Sequence, residues 1–315
     1  MMDYKIHSKT DEAAVRLAYL MLLNREPENK KVIDEAILSQ KTIGALREAL
    51  MASSEFKSKP IENVVGLYLS NFLQHQRECG LDKKNRASTI KILQTSDAKR
   101  YKKLLQASAV YNKLYAVAED IEYQSFVGIK RGFHPHHAMF NRIFLLRELV
   151  LNNYTGWVFY LDADAFVSAP SFSLREKLSD LREKNKSFWL HTVRAEEDPN
   201  YNWWDINTGC FAIDLGSSAG RSVVVAWSNI YRMFYSDNDF VDAASWGDLI
   251  DDQYSLSMII RYFKMENSIQ LERFQTNWVT QVLRSNANGI SSDEELAQRQ
   301  QLISQLGDNV YKIMK

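Results

Sequence analysis

The hydrophobic positions change period twice along the chain. From residue 10 to about 57 apolar residues recur every three or four positions and never alternate, which predicts helices alone. Thr10 stands as a cap ahead of Asp11 and Glu12, two acids that suit the positive end of a helix. Pro27 ends that helix, segments near 31–38 and 43–52 follow, and Ser53–Phe56 closes the unit. We expect a helical accessory domain over residues 1–60. A linking helix near 61–78 and a charged, turn-like stretch at 81–88 make residues 61–87 a linker.

From Thr89 the pattern alternates. Residues 90–95 read as a strand, and Ser96 and Asp97 can cap the helix after it. Leu104, Ala107, Tyr111, Leu114 and Ala118 give that helix one apolar stripe. A strand near 125–129, a helix over 135–150 and a strand at 158–161 follow. This β-α-β-α-β order predicts a parallel sheet with crossover helices, an α/β domain over residues 88–290. Further strands are expected at 188–192 and 209–213, and further helices at 222–234 and 252–263. Ser292 and Glu295 have capping-box spacing ahead of an amphipathic stretch, so residues 291–315 are expected to end in a helix.

The apolar run Val158–Leu161 stops at Asp162, Ala163 and Asp164. In an extended chain positions two apart share a face, so both carboxylates lie on one side of a strand's carboxyl end. Like charges there repel, and their desolvation asks for a counter-charge. A divalent cation, Mg2+ or Mn2+, suits oxygen ligands. The bland alternative is a solvated pair of acids in a turn. Thr95, Ser96 and Asp97 end another strand and point to the same crevice, because α/β sheets bind ligands beyond their carboxyl ends. Asn141 and Arg142 lie one helical turn beyond His134, His136 and His137 and can reach a donor in that cleft. The three histidines also allow a zinc hydrolase reading. Asn207, Thr208 and Gly209 offer polar groups and close backbone approach. Trp204 and His191 are candidate sugar or acceptor contacts. Asp251, Asp252 and Gln253 gather at the start of a helix, where capping and catalysis are both possible roles.

Composition narrows the function. The 39 basic and 39 acidic residues cancel, so bulk charge favours neither nucleic acid nor a membrane surface. Two cysteines, a polar start over residues 1–11 and no apolar run of spanning length lead us to expect a cytoplasmic protein without a transmembrane segment. Only 12 glycines occur, with no Gly-rich phosphate loop and no Gly-x-Ser-x-Gly. A bound nucleotide would therefore be held by strand-end groups and metal.

Three blocks in order, Trp157–Ala165, Asn207–Ile213 and Asp251–Leu256, together with the preceding Ala138–Leu149, resemble GT-A glycosyltransferases, most closely glycosyltransferase family 34. The resemblance covers roughly residues 88–285. It implies a GT-A (Rossmann-like) fold and retaining transfer from a UDP-sugar with Mn2+. It places Asp162 and Asp164 on metal and diphosphate, and Asn207, Thr208 and Gly209 facing donor sugar and acceptor. Asp251, Asp252 and Gln253 fall under the sugar, with Gln253 or Asp252 nearest the anomeric carbon. The third metal ligand expected of that family is a histidine near the C-terminus, and none follows His191. Asn277, Gln281 or water can stand in, or Arg273 and Arg284 can supply positive charge instead. The N-terminal block resembles a small helical domain that accompanies bacterial surface-polysaccharide enzymes, which implies a bacterial source and a protein partner or acceptor-docking role. The leading expectation is transfer onto a glycan or glycoconjugate. The alternative is a non-catalytic nucleotide-sugar or glycan-binding module.

Overall fold

The computed structural model describes residues 9–23, 25–58, 89–194, 196–272, 278–283 and 292–312. The expected linker at 61–87 lies outside them. The chain divides into two compact units. One holds the N-terminal helices with Asn229–Ser236, and the other the remaining residues from Leu81 onward.

The first unit is helical, as expected. Helix α1 (Glu12–Ala18) runs into a π-helical turn, Tyr19–Leu23, and α2 (Lys30–Ser39), α3 (Ile43–Ala52) and α4 (Ser54–Lys57) follow. Asp11, not Thr10, caps α1, its carboxylate accepting the Ala14 N–H at 2.7 Å. Thr10 is drawn away because its own N–H donates to the Lys41 carbonyl. Asn29, Thr42 and Ser53 cap the next three helices through their side chains. Val15, Leu22, Leu23, Ile33, Leu46 and Leu50 form the core.

The second unit opens with β1 (Ile90–Ser96), α5 (Lys102–Ala118) and β2 (Glu122–Val127). A 3-10 turn, Pro135–Phe140, leads into α6 (Asn141–Leu151), then β3 (Trp157–Leu161), β4 (Ala165–Val167) and α7 (Leu174–Glu183). Next come β5 (Phe188–Thr192), β6 (Ile206–Asp214), α8 (Ser218–Met233, whose residues from Asn229 onward are counted with the first unit), α9 (Asp237–Asp242) and α10 (Asp252–Tyr262). Strands β7 (Ile269–Glu272) and β8 (Val279–Gln281) and helix α11 (Asp293–Tyr311) end it. Among the described residues no helix is long and apolar enough to cross a membrane.

The fold class is α/β, as expected. Six strands form one sheet in the order β2-β1-β3-β6-β5-β7. The β1/β2, β1/β3 and β5/β7 pairs are parallel, and β6 is antiparallel to both its neighbours. Hydrophobicity marks a strand but not its direction, so β6 read correctly as a strand while its reversal stayed hidden. Strands β4 and β8 form a small antiparallel pair that the sequence reading did not foresee.

Strand β3 is buried on both faces, which is why its apolar run is unbroken. Trp157, Phe159 and Leu161 join a core with Leu104, Tyr111 and Tyr115 of α5, Leu174 and Leu178 of α7 and Ile303 of α11. Tyr160 points the other way and stacks on Phe211 at 5.3 Å, which in turn meets Trp227 of α8. The stripe expected on α5 is off by part of a turn. Leu114 is 52% exposed, whereas Ser108 and Asn112 are fully buried. These two polar residues occupy the inner face because backbone groups near the two aspartates need partners.

Helix α11 docks on α5 through a missing side chain. A Cβ at Gly307 would overlap the Tyr111 ring, whose hydroxyl donates to the Ser304 carbonyl at 2.9 Å and the Asp308 carboxylate at 3.1 Å. Alanine is the better helix former by ~1 kcal/mol. We nevertheless expect Gly307→Ala to lower stability by about 1–3 kcal/mol through overpacking. Urea denaturation measures this, and a midpoint equal to or above wild type would contradict close docking.

Candidate functional site

The chain leaves β1 for β2 on one side, then crosses back to β3 on the other. The carboxyl ends of β1 and β3 are therefore a switch point, where α/β sheets open a crevice. A cleft of about 200 Å³ lies there, lined by residues that include Thr95, Ser96, Asp97, Arg142, Asp162, Ala163 and Asp164. Tyr101, His136, Trp246, Gln281 and Arg299 complete much of its wall.

The Asp162–Ala165 turn is fixed from behind. Gln94 donates its amide to the Asp162 carbonyl at 2.9 Å and the Ala165 carbonyl at 3.0 Å. The Ser108 hydroxyl donates to the Ala163 carbonyl at 2.8 Å, and the Asn112 amide to the Ala165 carbonyl at 3.0 Å. Inside a hydrophobic layer these carbonyls have no water to turn to, so each needs such a donor. The Asp162 N–H donates to the Gly209 carbonyl of β6 at 2.8 Å.

Both carboxylates face arginine. Arg142 of α6 donates to Asp162 at 2.8 Å. Its other nitrogens reach the Met139 carbonyl at 3.1 Å, the Thr208 carbonyl, and Asp252 at 3.2 Å. The guanidinium also lies 4.5 Å from the centre of the Tyr160 ring. Burial works against the charge on Arg142, but Asp162 and Asp252 raise its pKa regardless. Arg299 of α11 pairs with Asp164 and donates to the Val282 carbonyl at 2.9 Å. The Gln281 amide bridges the acids, 3.3 Å from Asp162 and 3.1 Å from Asp164. The Tyr160 hydroxyl donates to Asp162 at 3.2 Å and meets Thr95 at 3.0 Å. Burial pushes the Asp164 carboxyl up to about 6, aided by neighbouring Asp162 and opposed by Arg299.

This donor set does not fit a resident divalent cation. The sequence reading asked for a counter-charge, and two buried guanidiniums already supply it. No group of three His, Cys, Asp or Glu side chains able to hold a metal occurs among the described residues. Gln281 is the one proposed substitute ligand that the structure places, and it reaches the acids through its amide nitrogen. Asn277, Arg273 and Arg284 lie outside the described residues.

The other expected site residues divide. Ser96 is 3% exposed, lines the cleft, and its hydroxyl has no hydrogen-bond partner, an orphan that a ligand can satisfy. Asp97 lines the cleft too, yet both its oxygens are engaged by the N–H groups of Lys99, Arg100 and Tyr101 at 2.6–2.9 Å. Asn141 is fully buried and does not line the cleft; it fastens the preceding loop through the Lys130 N–H and the Gly128 carbonyl. The Thr208 hydroxyl donates to Asp252 at 2.7 Å. That carboxyl, pushed up to about 6 by burial against the pull of Arg142, stands behind the arginine and outside the cleft lining. Asp251 caps α10 through the Tyr254 N–H at 2.6 Å, the bland reading of that block. Gln253 is half-buried and also outside the lining.

Asn207 and Thr208 are part of β6 and not a turn before it, with the Asn207 side chain accepting the Gly209 N–H at 2.7 Å. Gly209 gives close approach to side chains: a Cβ there would fall 2.9 Å from the Asp162 carboxylate and 2.8 Å from the Gln281 amide. Trp204 lies under the Arg261 guanidinium at 4.9 Å. His191 is buried in β5, 5.9 Å from the Trp189 ring. Neither Trp204 nor His191 lines the cleft.

The zinc reading fails on the histidines themselves. His137 accepts the N–H groups of Phe133 and His134 at one ring nitrogen and contacts the Ala243 carbonyl at 3.0 Å with the other. His134 reaches the Val241 carbonyl at 2.9 Å. Nδ1 of His137 is occupied by the 133–134 backbone, and Nε2 of His137 and Nε2 of His134 hold residues 241–243, where α9 passes into a loop. That loop leads to Trp246, whose ring lies 5.6 Å from His136 at the cleft wall.

Sequence reasoning missed Arg299. Its signal was present: an arginine between Leu296 and Ile303 on the apolar side of the last helix. Gln94, Ser108 and Asn112 gave no comparable signal, because only the fold reveals which carbonyls they serve.

No family model matches the sequence, and no curated protein matches it. Among solved structures, a glycosyltransferase involved in glycosylation of the major capsid of PBCV-1 is similar at 12% identity and a TM-score of 0.47, covering 68% of this chain and 98% of that one. A Bacillus anthracis protein described as a glucose-1-phosphate thymidylyltransferase, in complex with a sucrose, aligns at 9% identity and TM-score 0.36, over 69% of this chain and 96% of that one. A197 from STIV aligns at 11% and 0.30, over 59% and 81%. Likenesses this distant say nothing about chemistry.

Two outcomes follow from the geometry. Burial, with His136 adding, lowers the His137 pKa to about 4, whereas an unfolded histidine titrates near 6.5. Between those values the unfolded chain holds the extra proton, so stability falls as pH drops through that window. We expect His137→Gln to be less stable than wild type at pH 7, with the gap in Tm narrowing by pH 4.5; a gap that stays constant would count against it. Separately, Gly209→Ala should displace Asp162 or Gln281 and lower ligand affinity at least ~10-fold by moving a positioned group, with the far-UV circular dichroism retained. Unchanged affinity would remove Gly209 from the site.

Proposed function

We propose that this chain is a glycosyltransferase that draws a nucleotide-sugar donor into the cleft beyond β1 and β3. The observation carrying this reading is the Asp162–Asp164 turn, held rigidly at a switch point and facing a cleft that contains the orphan Ser96 hydroxyl. A phosphorylated donor offers oxygens to Ser96 and Arg142, and its hydroxyls offer protons to Asp162, whose side chain is 28% exposed. The sequence resemblance supports a UDP-sugar donor, retention at the sugar carbon, and a bacterial glycan or glycoconjugate acceptor.

Transfer breaks the bond between the sugar's anomeric carbon and a phosphate oxygen. A bond from that carbon to an acceptor hydroxyl oxygen replaces it, and the hydroxyl proton passes to the departing phosphate oxygen. Negative charge grows on the departing phosphate, so a fixed N–H donor aimed at it lowers the barrier. Arg142 is the candidate. Asp252 and the Thr208 carbonyl hold its guanidinium in place, which makes Asp252 a positioning residue. Thr95, through Tyr160, holds Asp162 in the same way. A manganese or magnesium ion has no step here, since the carboxylates that would ligate it are already paired.

The test is nucleoside diphosphate released from a panel of UDP- and GDP-sugars, with candidate acceptors, by wild type and Asp162→Asn. We expect turnover of at least one donor by wild type and a fall in kcat/KM of about 100-fold or more in the variant, the scale of losing a preorganised contact, with unchanged circular dichroism. Donor binding without turnover favours the non-catalytic module, and equal turnover by the variant removes Asp162 from the mechanism.

A further inference from the structure

We infer that this cleft meets the negative charge of its phosphorylated ligand with two arginines, Arg142 and Arg299, and not with a divalent cation. The inference rests on the nucleotide-sugar reading and adds how that ligand is neutralised.

The first argument is charge. Asp162 pairs with Arg142, which it shares with Asp252, and Asp164 pairs with Arg299, so each acid on the cleft already has a guanidinium partner. A cation arriving between the acids would share them with two fixed positive groups. Displacing the arginines instead breaks pairs whose guanidinium side chains are each 7% exposed. That leaves a buried charge stranded, the costly way to open an ion pair.

The second argument is ligand chemistry. A hard cation wants oxygen. The amide of Gln281 meets both acids with its nitrogen, an arrangement that supports paired carboxylates and turns a donor, not an oxygen, toward them. The third argument is spare capacity. A guanidinium has five N–H groups. Those of Arg142 serve Met139, Thr208, Asp252 and Asp162, which leaves one, and the residue lines the cleft. The orphan Ser96 hydroxyl lies on the same cleft. A phosphate oxygen satisfies both.

Arg299 is the positioning half of the pair: it acts through Asp164 and arrives from α11, the last helix of the chain. Calorimetry on the full chain tests the inference with Mn2+ alone, with UDP or GDP in EDTA, and with UDP or GDP plus Mn2+. We expect no stoichiometric Mn2+ binding and a UDP Kd that Mn2+ changes by less than about threefold, since each acid on the cleft already has a guanidinium partner. Arg299→Gln should bind UDP in EDTA about 10–100-fold more weakly and recover at least ~10-fold with Mn2+, because Asp164 then lacks its guanidinium. Arg299→Lys, which keeps the charge, should stay indifferent to Mn2+. A purely structural arginine would weaken binding without creating a Mn2+ response, and that result overturns the inference. Should the Gln variant fail to fold, the wild-type arms decide alone. Stoichiometric Mn2+ binding by wild type, or UDP binding abolished by EDTA, overturns the inference while leaving the nucleotide-sugar reading standing. No binding of UDP or GDP with or without Mn2+ overturns both.

Discussion

Two carboxylates at the end of a strand buried on both faces need compensation, and the cleft is organised by how this chain supplies it. Asp162 and Asp164 project from one turn, within reach of each other's field. Arg142 comes from the helix before β3 and Arg299 from the last helix, 135 residues beyond Asp164. Each guanidinium is in turn tied to backbone carbonyls, Met139 and Thr208 for one and Val282 for the other. The charges therefore have fixed positions before any ligand arrives. In a partly dry cleft, fixed charges act more strongly than mobile ones because nothing must reorient when the reaction occurs.

The same economy governs the neutral groups. Reversing the chain after β3 leaves the carbonyls of Asp162, Ala163 and Ala165 pointing into protein. Gln94, Ser108 and Asn112 answer them, and Asn112 also accepts the Val167 N–H at 3.0 Å. The Tyr123 hydroxyl and the Asn112 amide complete the circuit by donating to the Gln94 side-chain oxygen Oε1, at 2.9 and 2.8 Å. A buried network of this kind fixes one geometry, because a displaced member leaves its neighbours without partners. The Asp162–Ala165 turn is thus specified from the rear of the sheet, by residues that do not line the cleft.

These two layers explain what the sequence disclosed. The apolar run ending in Asp162 and Asp164 was legible because burial on both faces and abrupt charge are properties of neighbouring residues. The helical character of the first unit, the α/β order and the strand ends at Thr95–Asp97 were legible for the same local reason. Direction of pairing was not, since β6 has the same composition whichever way it runs. The stripe on α5 was misplaced because Ser108 and Asn112 look solvent-facing until the carbonyls they serve are known. Asn141 looked like a ligand contact and is a loop fastener. Asp97 has both oxygens engaged by the turn ahead of α5. Arg299 was hidden by distance along the chain, although a lone arginine on the apolar face of its helix was the available clue.

The cation expected from the sequence and the arginines found in the structure answer one electrostatic demand. Local reading can state the demand but cannot say who meets it, because the counter-charge comes from wherever the fold brings it. Here it comes from the final helix, docked on α5 where Gly307 admits the Tyr111 ring. Asp164 gains its guanidinium only once that helix is seated, so the cleft's charge balance is a property of the whole second unit and not of the Asp-x-Asp segment. A motif of two acids two residues apart is then an incomplete description of a site. The same three residues, with α11 absent, leave Asp164 without its guanidinium; with α11 in place they present hydroxyl acceptors beside positive charge. The chemistry of the motif is decided by its partners.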